Sequence, residues 1–426
     1  MITSCKNCGS PVTFDPNCQQ VVCHICGSIQ TITDAGTEGT YQEIVPQFQE
    51  PVAPSPDAAL AGGPVQEFMQ YYVYSCSACG GEIVINGSEA STTCVYCGSP
   101  SVVFNRVTEG NRPDYIIPFA FSKETVIEML KGRFHGGSYV PDEFKNLNPD
   151  LVRGIYIPYW LVDAYHTESS IISGTTTSER TSKVLYFGRS ARLQMNQVPV
   201  EASIMLSDES SKRLEPYDFS HIRPFDESYL LGFYSNMSDL TFGQLRTYID
   251  QRASDAYKRK ITADVSAYHT SIMHTRSTTL IDSNLKYLLV PVWFVTVMYE
   301  GKPHTILVNG DTGKIVCGLP YDKKRFKRNV IAIASAVGGV YALITFLISN
   351  IGTGMSRFFG GSNIPVETYG LMSALGSITS IIHSVPFLLV ALLVFLFGLV
   401  RHKKLQQQIE RTRSEDIFNF TKKRQG

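Results

Sequence analysis

The chain has 426 residues with 38 basic and 38 acidic side chains, so its formal net charge is zero. The balance is local rather than even: between Met1 and Pro100 the sole basic residue is Lys6, against nine acids. Phosphate contacts need lysine and arginine, so this acidic third argues against a nucleic-acid-binding module there. Residues 1–320 precede two apolar C-terminal stretches, which leaves room for one sizeable cored domain and smaller modules.

The first residues, MITSCKNCGS, carry neither a basic n-region nor an apolar h-region, so no secretory signal is expected. Ten cysteines in a reducing compartment point to metal binding rather than to five disulfides. Eight of them form four CxxC pairs: Cys5 and Cys8 with Cys23 and Cys26, then Cys76 and Cys79 with Cys94 and Cys97. The first-to-third interval is 18 residues in both sets, and the second set repeats the first at an offset of 71. A glycine follows every pair (Gly9, Gly27, Gly80, Gly98), supplying the positive φ that a tight knuckle requires. Two knuckles per site place four thiolates for a tetrahedral ion, which predicts two zinc ribbons holding two Zn2+ per chain. Ribbon 1 spans 1–33 and ribbon 2 spans 71–104, with strands expected at Pro11–Phe14 and Glu82–Ile85. His24 lies inside a knuckle but is not needed as a ligand, and Cys18 and Cys317 are left over as ordinary thiols. Residues 34–70, rich in Pro, Gly, Glu and Gln with PVAPSP in the middle, read as a flexible linker that lets ribbon 1 move relative to ribbon 2.

From 111 to 320 the composition becomes that of an α+β, strand-rich domain. Ile155–Val162 and Leu289–Tyr299 are apolar on both faces and read as buried strands. The two tryptophans, Trp160 and Trp293, each stand two residues after a proline in these strands. Upstream of each lies a Pro-Phe pair, Pro118-Phe119 and Pro224-Phe225, and then a helix: Lys123–Phe134 with Val126, Met129, Leu130 and Phe134 on one face, and Phe242–Lys260, opened by the capping-box pair Thr241 and Gln244. The pattern suggests an internal duplication, with chance in an aromatic-rich chain as the alternative. His304–Val308 and Lys314–Cys317 form a further strand pair around the NGDTG turn at Asn309–Gly313.

Val330–Ser349 and Ile378–Val400 contain no charged side chain, and each has about the 20 residues a helix needs to cross a bilayer core. Lys323, Lys324, Arg325, Lys327 and Arg328 precede the first, and Arg401, Lys403 and Lys404 follow the second. Cationic flanks stay in the cytoplasm. The expected topology is a two-helix transmembrane hairpin, 330–349 and 378–400, joined by an external loop at 350–377 and followed by a basic tail at 401–426. Both termini are then cytoplasmic, in a multi-pass protein of the cell membrane. Thr368–Ser377 either lies on the outer surface or extends the second helix. Ala334, Gly338 and Ala342, spaced four apart, suit helix packing within the hairpin or self-association. Neither span carries the ionisable residues of a transport pathway.

Closed four-thiolate sites leave no open coordination position for activating water. The chain lacks HExxH, GxSxG and Walker patterns, so no catalytic residues and no enzyme activity are expected. His166 and His269 read as satisfied polar residues. The remaining use for acidic ribbons is protein contact, and the basic collars also suit anionic headgroups.

Taken together, CKNCGS, CHICGS, CSACGG, CVYCGS, IYIPYWLVDA, PYDFSHIRPFDESYLLGFYS and VPVWFVTVMYEGKPHTILVNGDTGKIVCGLPYDKKRF resemble bacterial membrane proteins catalogued as transcription factor IIB-type zinc-ribbon-containing proteins. The ribbon part is shared by many unrelated proteins; PYWLVD and PFDESYLLGFYS are more specific. The resemblance implies a role in membrane stress, since certain Bacillus-like relatives are encoded beside flotillin-like (SPFH) proteins and the phage-shock protein A family and are thought to recruit them. The expected function is thus a membrane-anchored scaffold for cytosolic proteins, the alternative a membrane-tethered nucleic-acid-binding regulator.

Overall fold

The computed structural model describes residues 4–32, 68–85, 94–359 and 389–407, apart from 101, 136, 138, 179–180, 204, 264, 266–267, 283 and 319–320. These divide into two compact units, one drawn from Met1–Leu130 and Leu147–Val316, the other from Lys131–Asn146 and Cys317–Thr412.

In the first unit, β1 (Thr13–Asp15), β2 (Gln20–Val22) and β3 (Ile29–Gln30) make a small antiparallel sheet. The remaining strands belong to one twelve-stranded sheet. They are β4 (Phe68–Cys76), β5 (Glu82–Ile85), β6 (Val102–Asn111), β7 (Tyr115–Ile116), β8 (Val152–Ser178), β9 (Thr181–Glu201), β10 (Arg223–Pro224), β11 (Tyr234–Ser235), β12 (Tyr268–Ile281), β13 (Lys286–Tyr299), β14 (Lys302–Asn309) and β15 (Ile315–Val316). Helix α1 (Lys123–His135) begins in this unit, and α2 (Phe242–Ala263) lies wholly within it.

The centre of the sheet is β8 against β13, antiparallel, and both are covered on two sides. On one side Ile155, Ile157, Tyr159 and Leu161 join Leu288, Val290, Val292 and Phe294 in one core cluster, roofed by Met205, Leu206, Leu214 and Tyr217. On the other side Tyr156 and Trp293 meet Phe119 and Phe233, whose rings stack at 4.3 Å. Burial on both faces explains the unbroken apolar runs. Gly154 belongs to the same crowding: a Cβ there would stand 2.5 Å from the Phe233 ring.

The pairing around β8 and β13 is pseudo-two-fold symmetric. Pro158 and Pro291 take equivalent places, as do Trp160 and Trp293, and Ile155 and Leu288. Ile155 pairs in parallel with Tyr234 of β11, and Leu288 pairs in parallel with Tyr115 of β7. Each short strand leads to a capped helix. Ser122 Oγ accepts from the Thr125 amide at 3.4 Å; Thr241 Oγ1 accepts from the Gln244 amide at 3.4 Å, while the Gln244 side chain accepts from the Thr241 amide at 2.9 Å. Val126 and Leu245, then Leu130 and Ile249, are the matching buried positions. The equivalence therefore runs through Ser122 and Thr241, not through the two Pro-Phe pairs: Pro224 sits in β10, which pairs with β7 itself.

Several expected boundaries change. β8 runs to Ser178, far beyond Val162, and β9 and β12 were not foreseen. Phe68–Gln70, placed in the linker, open β4, and β6 continues past residue 104 to Asn111; the rest of the linker through Glu67 lies outside the described residues. Around Asn309–Gly313 the turn forms as expected, with Gly313 at φ 71° and its amide donating to the Asn309 carbonyl at 2.9 Å.

In the second unit, α3 (Lys323–Phe359) is one continuous helix, and 389–407 form α4. α3 carries helix ten residues into the stretch expected as an external loop, 350–359; residues 360–388, which hold the rest of that loop and the start of the second expected span, lie outside the described residues, as do 408–426. The two helices meet where a Cβ on Gly398 would stand 2.6 Å from a Val330 methyl, and the Tyr321 hydroxyl donates to the His402 carbonyl at 3.1 Å. Among the described residues nothing stands within 4 Å of the Cβ position of Gly338. Ala334 and Gly338 follow Val330 at four-residue steps along α3 and are half-buried like it, and the Ala342 side chain lies outside the described residues. Among the described residues no helix is long and apolar enough to cross a membrane, so the hairpin is not established. Many apolar side chains of both helices are nevertheless exposed, Leu343, Phe346, Leu393 and Phe397 among them.

Candidate metal centres

All four knuckles fold alike. The amides of Gly9, Gly27, Gly80 and Gly98 donate to the carbonyls of Cys5, Cys23, Cys76 and Cys94 at 2.8–3.0 Å, and the four glycines have φ of 70–75°. A second bond runs from each of those cysteine amides to the carbonyl of Ser10, Ser28, Gly81 or Ser99, at 2.7–3.0 Å. The turn therefore closes on itself and turns two sulfurs to one side.

The turns bring together all eight cysteines the sequence singled out. In each set the four Sγ atoms lie within 4.8 Å of one another, and these are the two such groups among the described residues. Cys5 and Cys26 are 3.6 Å apart and Cys8 and Cys23 3.5 Å; Cys76 and Cys97 are 3.7 Å apart and Cys79 and Cys94 3.8 Å. A tetrahedron with metal–sulfur bonds of about 2.3 Å has edges of about 3.8 Å. The donor sets thus fit one metal ion each. His24 is outside the set, its Nε2 2.7 Å from Thr13 Oγ1. Cys18 is exposed and Cys317 half-buried, and neither joins a cluster.

The two centres differ in setting. In the first, the Ser28 hydroxyl lies 2.9 Å from Cys5 Sγ and draws that thiol down to about 6, while Cys8 and Cys26 are exposed. The ribbon docks through Phe14, whose ring meets Tyr229 at 5.2 Å and Phe233 at 6.4 Å, and whose amide donates to the Leu231 carbonyl at 3.0 Å. Gln19 Nε2 adds a 2.8 Å bond to the Phe119 carbonyl. So ribbon 1 is seated on the β8–β13 sheet rather than free of it, as the linker reading had supposed.

The second centre is part of the main core. Cys76, Cys94, Val95 and Tyr96 are buried in the same cluster as Ile155 and Leu288, on the face opposite Phe14. Arg153 donates to the Cys94 carbonyl at 3.1 Å and Thr296 to the Tyr96 carbonyl at 3.0 Å. Hydrogen bonds from Cys79 and Cys94 hold the Cys97 thiol well below its ordinary value, whereas the Cys79 and Cys97 thiols and burial push Cys94 far up. β5 continues through β11 into β8, so ribbon 2 and the sheet are one structure.

A buried polar network that the sequence did not signal lies under α2. His166 Nε2 is 2.9 Å from Glu168 Oε2 and its Nδ1 2.7 Å from Thr279 Oγ1, which also bonds Asp250. Ser254 and Thr275 donate to the Glu168 carboxylate at 2.6 and 2.8 Å. Burial pushes that carboxyl up, but the bonds from Ser254, His166 and Thr275 outweigh it and leave it below its ordinary value. Both Glu168 oxygens and both His166 ring nitrogens have a partner, which marks a structural tie between α2 and the sheet. His269's side chain is outside the described residues.

Beside ribbon 2 lies a surface that the sequence reading missed. Tyr72 of β4 stands opposite Val107 of β6, and Tyr74 meets Phe104 edge-on at 5.6 Å. Phe68, Tyr72, Phe104 and Val107 are all exposed, between 48% and 66%. Their sign in the sequence was the alternation of FMQYYVYSC, with Tyr71 and Val73 buried on the inner face.

No model of a known protein family matches the chain, and no solved structure matches it. The chain is similar to a protein of Bacillus subtilis (strain 168) described as uncharacterized protein YdjG, 24% identical over 363 residues that span 81% of this chain and 96% of that relative.

Proposed function

We propose that the protein is a membrane-anchored zinc-ribbon adaptor that recruits other proteins, and that it has no catalytic role of its own. The observation that carries this reading is the exposed apolar face of Phe68, Tyr72, Phe104 and Val107 next to the second metal centre. A contiguous apolar patch rimmed by polar residues marks an interaction site on an otherwise well-packed domain. Zinc is the metal that four thiolates at these separations favour, and a closed set of this kind folds its surroundings rather than activating water.

The anchor rests on the charge-free stretches 330–349 and 378–400 and on the exposed apolar side chains of α3 and α4. The basic collars then put both termini in the cytoplasm. Flotillin-like and phage-shock protein A family members are the first partners to try. Co-purification with the full-length chain tests the reading: Tyr72→Ser/Phe104→Ser should release the partner while two zinc ions and the thermal melt are kept. A partner set indifferent to that change defeats the adaptor reading. Alkaline carbonate extraction tests the anchor separately, since a spanning hairpin stays in the pellet.

A further inference from the structure

Beyond residue 163, β8 leaves the central sheet and is flanked by β9 and β12, forming a three-stranded arm. α2 covers one face of it: Tyr257, Ile261 and Val265 pack on Ile172, with Phe187, Ala191, Leu193 and Ile272 around them. Among the described residues nothing covers the other face. Towards the β8–β9 turn it presents Ile171, Val184 and Tyr186, which are 45%, 57% and 67% exposed. Met273 stands exposed at the neighbouring β-bulge of β12.

Behind these apolar side chains the same face turns to Arg192, opposite Thr167, and Arg276, opposite Ser169, with His274 between them and the tip. Among the described residues neither arginine has an ion-pair or hydrogen-bond partner. Arg106, Arg213 and Arg252, elsewhere in the same unit, are all salt-bridged. Lys183 on β9 adds an exposed cation near the tip. Acid is sparse on the three strands: between Ala164 and Ser178, between Thr181 and Val200, and along β12, the one acidic residue is Glu168, which is buried under α2, while Glu179 follows in sequence between β8 and β9.

An apolar tip bordered by unpaired cations, on strands that carry no exposed acid, matches a surface that is anionic outside and oily beneath. We infer that this arm face binds the anionic surface of a lipid bilayer, with Val184 and Tyr186 entering the headgroup layer and Arg192 and Arg276 holding phosphates. Tyrosine suits such a boundary because its ring is apolar and its hydroxyl wet. This contact is separate from the proposed helical anchor and from the Tyr72–Phe104 face.

The test uses the full-length chain with Tyr186→Trp, in vesicles of brominated-chain lipid. The native Trp160 and Trp293 are buried and provide a constant background. In phosphatidylglycerol-rich vesicles the introduced indole should be quenched severalfold more than in phosphatidylcholine alone, and Arg192→Glu/Arg276→Glu should abolish the difference. Both changes are at exposed positions, so zinc content and melt report that the fold is kept. The readout is local to position 186 and stands whether or not α3 and α4 span the bilayer, and whether or not a protein partner is ever found. Quenching no greater than that of the unsubstituted chain, or equal in both lipids, overturns the inference. So does a response to a single-stranded oligonucleotide in place of lipid, which would reassign the face to a nucleic acid.

Discussion

Ribbons 1 and 2 share the same knuckles, the same cysteine spacing and the same four-sulfur geometry, yet they sit on opposite faces of the β8–β13 sheet in different roles. Ribbon 1 is a self-contained three-stranded sheet held by one aromatic plug, Phe14. Ribbon 2 extends its strands into the twelve-stranded sheet and buries two of its ligands, Cys76 and Cys94, in the main core. A motif therefore does not reveal its weight in a fold. The weight comes from what the strands leaving it pair with.

The largest test of this contrast is ligand removal. A structural four-cysteine site contributes on the order of 10 kcal/mol of metal binding, comparable to the whole net stability of a domain. Cys94→Ser should therefore unfold the first unit, seen as loss of its cooperative melt by circular dichroism. Cys23→Ser should lower the zinc count from two to one and leave that melt largely in place. Equal collapse in both variants would erase the distinction.

Phe14→Ala comes next. Removing a buried aromatic plug costs about 3 kcal/mol, here charged to docking rather than to the ribbon's own fold. Zinc content should stay at two while ribbon 1 becomes cleavable by limited proteolysis at native temperature. Chelator competition gives a third reading. Cys8 and Cys26 are exposed, whereas ribbon 2 has no exposed ligand, so a metallochromic chelator should strip the first ion well before the second. Release in a single phase would mean that the two centres are equally guarded.

The smallest effect is the one in which the ribbons should agree. Gly9→Ala and Gly98→Ala each force a left-handed residue to carry a Cβ, at about 1 kcal/mol. Among the described residues Gly9 has no atom within 4 Å of that position and Gly98 has one at 3.9 Å, an ordinary contact, so the shifts in melting temperature should be alike. A much larger loss at Gly98 would mean that the knuckle itself, not only its surroundings, is under tighter constraint in ribbon 2.

The knuckles were legible because their information is local: two thiols, one glycine and a fixed interval define the turn. The apolar runs of β8 and β13 were legible for the same reason, since each residue is buried whichever face it takes. The arm was not. Its strands are written in serine, threonine and arginine, with Glu168 and His166 on the covered face, so neither a clean alternation nor an apolar run marks them. Docking of ribbon 1 was hidden too, because Phe14 stands alone in TFD and its partners Tyr229 and Phe233 lie more than 200 residues away in sequence. Ribbon 2 reads as a separate module in sequence for a related reason: the two-residue strand β11 that joins it to the sheet is too short to leave a pattern.

The pseudo-two-fold pairing of β8 with β13 has a consequence for how this chain can be divided. An isologous contact, in which one surface meets its own equivalent, normally joins two subunits. Here both partners are on one polypeptide, and each supplies half of a core that neither completes alone. Cutting the chain between β9 and β11 would not release two domains. It would yield two fragments, each with a bare apolar strand edge, and they should regain their fold only when mixed.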